Sequence, residues 1–237
     1  MSRWRAFAIH LLISVLIAGS VAAVLFLVWY PPKLLGFAGA EGLLFLMAGI
    51  DIVAGPLLTL IVFKAGKKGL KFDLAVIALA QAAFLSYGVW TSWESRPVYI
   101  TVVKGDLELV FANEIHPSEL AKAKDAQYQS LPWTGARLVG IELPPEQRID
   151  ALFQGLAGRD VSQRPELYVD YSKSAPSVLE KSRTYDALIS ARPELSDKLS
   201  ALRAQYPDAR IADFLSSRAS AYAVIDAKTA EPLAAVW

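Results

Sequence analysis

Residues 47–74 read MAGIDIVAGPLLTLIVFKAGKKGLKFDL. An apolar run carries one acid, Asp51, then Gly55-Pro56, and ends in a short basic loop, Lys64-Ala-Gly-Lys-Lys-Gly-Leu-Lys71. A second apolar run follows at once. A soluble core has little use for two such runs joined by so short a cationic link, whereas a membrane protein needs that arrangement to set its topology.

Upstream, Arg3, Trp4 and Arg5 precede a run from Ala6 to Tyr30 without Asp, Glu, Lys or Arg, in which only His10 can titrate. At ~1.5 Å per residue it covers the ~30 Å hydrocarbon core. Trp4 and Trp29-Tyr30 mark its two ends, where amphipathic rings favour the interface. A basic start and an apolar run are also the pattern of a cleaved signal peptide, and Gly19-Ser20-Val21-Ala22-Ala23 could pass for its cleavage site. The run continues through Val24 to Val28, however, and cleavage would leave an apolar stub, so an uncleaved helix is expected. Pro31-Pro32 should stop it. The sequence thus predicts spans at about 6–30, 42–63 and 72–93, the last closing on Trp90 and Trp93.

Of the 237 residues 54% are hydrophobic, and they concentrate in residues 1–93. That part holds seven basic residues against three acidic ones, net +4, while 94–237 hold 17 against 20, net −3. The near-neutral second part lacks the basic stripe of a nucleic-acid surface, so no nucleic-acid partner is expected. Without cysteine there is neither a disulfide framework nor thiolate chemistry.

With three spans, Arg3, Arg5, Lys64, Lys67, Lys68 and Lys71 fall on one side, facing lipid headgroups, and the opposite loop has only Lys33. The Lys/Arg bias therefore predicts a cytoplasmic N-terminus and residues 94–237 in the periplasm. Asp73, at the start of the third span, suits the positive end of the helix dipole.

Within the bundle, Asp51, Gly55 and Thr59 share a face of the second span by their spacing of four. Ala78, Ala82 and Ser86 form a small-residue stripe on the third, a pattern that lets helices approach. Asp51 lies about nine residues, ~14 Å, from one end of its span, and Gln81 about nine from the opposite-facing end of its own. Both reach the midplane, where a lone carboxylate is costly, so Asp51 and Gln81 are expected to meet or to share a polar partner. Pro56 should strand the Ile52 carbonyl one turn away. Two roles stay open for Asp51, Gly55, Thr59 and Gln81: a polar core that holds the bundle, or a contact for a client helix.

Residues 94–237 read as an α+β domain with an antiparallel sheet of four or five strands. Val98–Val103 and Leu107–Phe111 form a hairpin around Lys104-Gly105-Asp106. Pro117–Gln127 and Pro145–Gly155 read as helices, His116 being a cap or loop residue. Ala136–Leu143 reads as a strand and Tyr168–Tyr171 as a short extended segment. Ser177–Ser190 and Pro193–Tyr206 read as helices, and Ala219–Asp226 with Pro232–Val236 as a final hairpin. The fold class is thus an α+β membrane protein, three transmembrane helices followed by an extracytoplasmic domain.

No catalytic constellation stands out. There is no nucleophile elbow, Walker loop or dinucleotide fingerprint. Zinc-ligand spacing is missing too, so neither a metal nor a cofactor is expected. The residues point to binding, not turnover.

Ser2-Arg-Trp-Arg-Ala-Phe-Ala-Ile-His-Leu-Leu-Ile-Ser14, Val28-Trp-Tyr-Pro31, Ala48-Gly-Ile-Asp-Ile-Val-Ala-Gly-Pro-Leu-Leu-Thr-Leu-Ile-Val-Phe-Lys64, Gly69-Leu-Lys-Phe-Asp-Leu74, Tyr87-Gly-Val-Trp90 and Arg96-Pro-Val98 resemble the TfpX/TfpZ family of type IV pilin accessory proteins. The likeness covers the membrane half; beyond it the chain resembles the family only in general layout. It implies an inner-membrane accessory factor, or chaperone, for a type IV major pilin, without enzyme activity. From the residues alone, a membrane-anchored periplasmic sensor or small-ligand-binding protein remains the alternative, and a transporter subunit coupled through Asp51 a third. Oligomeric state is not legible.

Overall fold

The computed structural model describes residues 2–30, 34 and 36–237. Pro31, Pro32 and Lys33, the expected stop of the first span and the lysine of the opposite loop, lie outside the described residues. The chain divides into two compact units, Met1–Tyr30 with Ala40–Ser95 and Pro31–Gly39 with Arg96–Trp237.

The first unit holds three helices long and apolar enough to cross a membrane, Arg3–Trp29, Leu44–Val62 and Leu70–Glu94. The first opens on Ser2, whose hydroxyl accepts from the Arg5 amide at 3.3 Å, satisfying one orphan donor. Its last turn, Leu25–Trp29, widens to π geometry. The second span is α-helical over Glu41–Ala48 and Gly55–Val62, with a π turn, Gly49–Ala54, between them. The third follows Gly69, which at φ +85° takes the left-handed turn that glycine adopts without a Cβ penalty.

His10 meets Thr59 and Gln81 at one level of the bundle, and Trp29 stacks on Trp93 at the other end, centroids 5.0 Å apart. The spans therefore run up, down and up, and Arg3, Arg5 and the lysine loop share one end. Tyr30 ties the far end, donating to the Ser92 carbonyl at 2.8 Å. On the third span the buried positions are Ile77, Gly88 and Ser92. Ala78, Ala82 and Ser86 are exposed, so the small-residue stripe does not face the bundle. Gly88 makes the close approach instead: a Cβ there would sit 2.6 Å from Met47.

The second unit contains a six-stranded sheet in the order β3-β1-β2-β6-β7-β8 and a two-stranded one, β4-β5. The strands are β1 (Pro97–Val103), β2 (Asp106–Phe111), β3 (Arg137–Leu138), β4 (Gly140–Ile141), β5 (Tyr168–Val169), β6 (Arg210–Ser216), β7 (Ser220–Ile225) and β8 (Pro232–Val236). The first hairpin turns on Lys104 and Gly105, both at positive φ, as a two-residue turn matching strand twist requires.

The expected antiparallel pairing holds within β1–β2 and within β6–β7–β8, but β2–β6 and β1–β3 are parallel, so the sheet is mixed. The strand β6 was not expected. Its Arg210 and Asp213 and its single β-branched residue, Ile211, obscure the alternation, yet it lies between the two hairpins and buries Ile211 and Phe214. The helix expected over 177–190 is two helices, Ala175–Lys181 and Tyr185–Ala191, broken where Arg183 bridges Ile211 of β6. The helix expected over 117–127 stops at Leu120.

Two apolar clusters cover the sheet. Val98, Tyr99, Val110, Ile115, Tyr128, Val139 and Tyr168 pack at the β1–β2 end. Tyr185, Leu188, Leu195, Leu199, Ile211, Val224 and Val236 pack at the other. Leu34 and residues 36–39, expected in a loop of the membrane half, join this unit. Phe37 is buried on Phe214, centroids 4.5 Å apart, and the Ala38 carbonyl accepts from Arg218 at 3.1 Å.

Candidate polar site between the membrane helices

Asp51 and Gln81, which spacing placed near the midplane, come together with Gly55 and Thr59, which spacing placed on the face of Asp51. Asp51 and Thr59 are buried on the second span, with Gly55 between them. Gln81 of the third span lies against Gly55 so closely that a Cβ there would stand 2.0 Å from its amide nitrogen. The absent side chain is thus the space the Gln81 amide occupies.

Gln81 Nε2 donates to the backbone carbonyl of Asp51 at 3.1 Å. The π turn explains why this carbonyl is open. The Gly55 amide bonds back to Ile50, five residues away. In that register the next amide, at position 56, would take the Asp51 carbonyl, and Pro56 has no amide to give. The Asp51 carbonyl is therefore open to the Gln81 amide, one position before the Ile52 carbonyl that α-helical counting gives.

The network reaches the first span through His10, whose role the sequence left undefined. Its Nδ1 lies 2.6 Å from Thr59 Oγ1 and its Nε2 2.8 Å from Gln81 Oε1. A backbone carbonyl can only accept, so the Gln81 amide must turn its nitrogen to Asp51 and its oxygen to His10. With a neutral imidazole, His10 Nε2 then donates and Nδ1 accepts the Thr59 hydroxyl proton. Donors run in one direction from Thr59 through His10 and Gln81 to Asp51, and no link is left unpaired. A signal for His10 exists in the sequence: Ala6, His10 and Ser14 recur every four residues, and Ala6 and Ser14 are buried.

Asp51 has a second setting. It borders a cavity of about 60 Å³ between the second and third spans, whose wall is entirely apolar and includes Met47, Ile50, Phe84 and Leu85. That is room for the end of one side chain or a few waters. Such an apolar recess suits an apolar side chain of a neighbouring helix, with Asp51 buried beside it.

Arg3, Arg5, Lys64, Lys67, Lys68 and Lys71 are all exposed. Lys67 pairs with Asp73 at 2.6 Å, which ties the loop to the first turn of the third span. At this exposure the pair contributes at most ~1 kcal/mol.

A three-span membrane bundle with a buried polar chain, joined to an α+β unit, is the class that the fold defines. The family described as fimbrial assembly protein FimB matches residues 1–32, the first span and its polar face. The chain is 32% identical over 179 residues to a fimbrial assembly protein of serogroup E1 from Dichelobacter nodosus, covering 74% of this chain and 68% of that one. A serogroup I counterpart from the same organism is 31% identical over the same shares. A third, of serogroups C1 and C2, is 32% identical over 48% of this chain and 89% of its own. No solved structure matches. The chain belongs to this family of fimbrial assembly proteins.

Proposed function

We propose that this protein is an inner-membrane accessory factor that binds and stabilises a type IV major pilin before pilus assembly. Family membership supports a role in pilus biogenesis. The observation that carries the finer reading is an apolar intramembrane cavity bordered by Asp51, far from the helix ends, which a side chain of an apolar client helix can fill. A pilin waiting in the membrane presents an apolar helix to such a face and a globular head to the second unit. The cavity face beside Asp51 forms the contact region for that helix, and Gly55, Thr59 and Gln81, engaged with one another and with His10, hold the bundle behind it. The Lys/Arg bias supports a cytoplasmic N-terminus and a periplasmic second unit. The action is binding, without turnover.

A small-ligand reading has one observation in its favour, a groove of about 370 Å³ lined by Glu114, His116, Arg159, Arg164 and Glu166 among others. Four of its charges already pair, Arg164 with Glu166 at 2.8 Å and Lys122 with Glu119 at 2.7 Å, which favours the pilin reading.

The test replaces Asp51 by Asn and by Leu and measures pilin abundance and co-purification. Both should fall with Leu at unchanged levels of the accessory protein. Unchanged pilin binding with Leu rejects the client role of Asp51.

A further inference from the structure

The helix Arg148–Leu156 of the second unit is built inside out. Its small residues Ala151 and Gly155 face the fold, while Ile149, Leu152, Phe153 and Leu156 are 72, 64, 65 and 79% exposed. At positions i, i+3, i+4 and i+7 these four make one stripe about 100° wide. A water-facing helix of a globular unit has the opposite arrangement, and so large an apolar stripe marks an interaction surface.

We infer that this helix is an interfacial anchor, its stripe seated in the surface of the bilayer that the spans cross. Three observations favour lipid. Only Ser95 and Arg96 separate the third span from β1, so the second unit is tethered at the membrane by two residues. The helix also walls a groove of about 730 Å³ whose lining is mostly apolar, with Val103, Ile141 and Leu143 opposite Leu152 and Leu156, room that acyl chains can enter. Lys104 and Arg148 stand on that groove with one carboxylate, Asp160, a balance that suits anionic headgroups around an apolar stripe. The inference rests on the membrane spans and holds whichever client the protein serves.

The chain has no cysteine, so a single reporter can be placed in the full-length protein. Leu152→Cys and Leu156→Cys, each carrying a bimane label, are reconstituted into vesicles of phosphatidylethanolamine and phosphatidylglycerol containing spin-labelled lipid. Ile149→Cys replaces either variant should it not fold, and Asp197→Cys, exposed on another helix, is the reference. A stripe ~5–10 Å deep in the interface gives about twofold quenching at 152 and 156 and little at 197. Quenching no greater than at 197 overturns the inference. So does a label that responds only to added pilin, which makes the stripe a protein-docking face, or only to the protein-to-lipid ratio, which makes it a contact between copies.

Discussion

Gln81 and Asp51 meet through the backbone of Asp51, not only by proximity of their side chains: the Gln81 amide donates to the Asp51 carbonyl at 3.1 Å. A carbonyl survives any substitution at its own position. The backbone part of the Gln81–Asp51 tie therefore outlasts a substitution at position 51, while the bond of the carboxyl to Gln81 does not, which spacing on a helical wheel could not have suggested.

Asp51→Leu should keep the carbonyl bond and change bundle stability by less than ~1 kcal/mol, whereas Gln81→Leu strands both the carbonyl and a His10 nitrogen and should cost about 1–2 kcal/mol. Unfolding in mixed detergent micelles, followed by far-ultraviolet circular dichroism, measures both. Equal losses would show that the Asp51 side chain is part of the structural chain.

Gly55→Ala should be costly although alanine favours helix. The added Cβ stands 2.0 Å from Gln81 Nε2, so the amide must swing away from Asp51 and His10. A loss of ~1–3 kcal/mol is expected, and Gln81→Ala should recover part of it in the double variant. A neutral Gly55→Ala would show that the second and third spans pack less closely than described.

His10→Phe removes both links of the first span to the network. In a double-mutant cycle with Gln81→Leu the coupling should be about 0.6–1.7 kcal/mol, the range of interhelical hydrogen bonds in membranes. Strict additivity would mean that the chain of donors does not persist.

In the second unit, Glu108 sits on β2 between Thr101 and Leu215. Burial raises its carboxyl above the ordinary 4.5, a bond from Ser162 pulls the other way, and Asp160, Asp106 and Glu114 raise it further. A carboxyl raised on folding holds its proton more tightly in the folded state than in the unfolded one. Its neutral form is compatible with the fold below pH 4.5, and stability falls as pH rises through the folded value. Glu108→Gln should therefore raise the thermal midpoint of the full-length protein at pH 7 and leave it unchanged near pH 4. A midpoint lowered at pH 7 would mean that the ionised carboxylate is stabilising.

The spans were legible because length, apolarity and terminal aromatics are properties of contiguous sequence. The meeting of Asp51, Gly55, Thr59 and Gln81 was legible because the runs were taken as antiparallel and counted from their ends. The π turn was not, since nothing local distinguishes GIDIVA from an α-helix; the widened register shows only in the bond from Gly55 to Ile50. His10 was hidden for a related reason: one histidine in an apolar run gains meaning only from partners 49 and 71 residues away. In the second unit the hairpins carried their own turn signals. The strand β6 did not, because its parallel pairing with β2 joins segments about 100 residues apart without a tight turn to announce it.

The most direct measurement of the central claim is site-specific photocrosslinking in cells that make pilin. A benzoylphenylalanine at Ile50, on the cavity beside Asp51, should trap the membrane helix of the major pilin, and the adduct should weaken with Asp51→Leu. The same probe at Ala78, on the exposed face of the third span, should trap little pilin. Absence of any pilin adduct at Ile50, with pilin and probe-bearing protein both present at normal levels, would contradict the account.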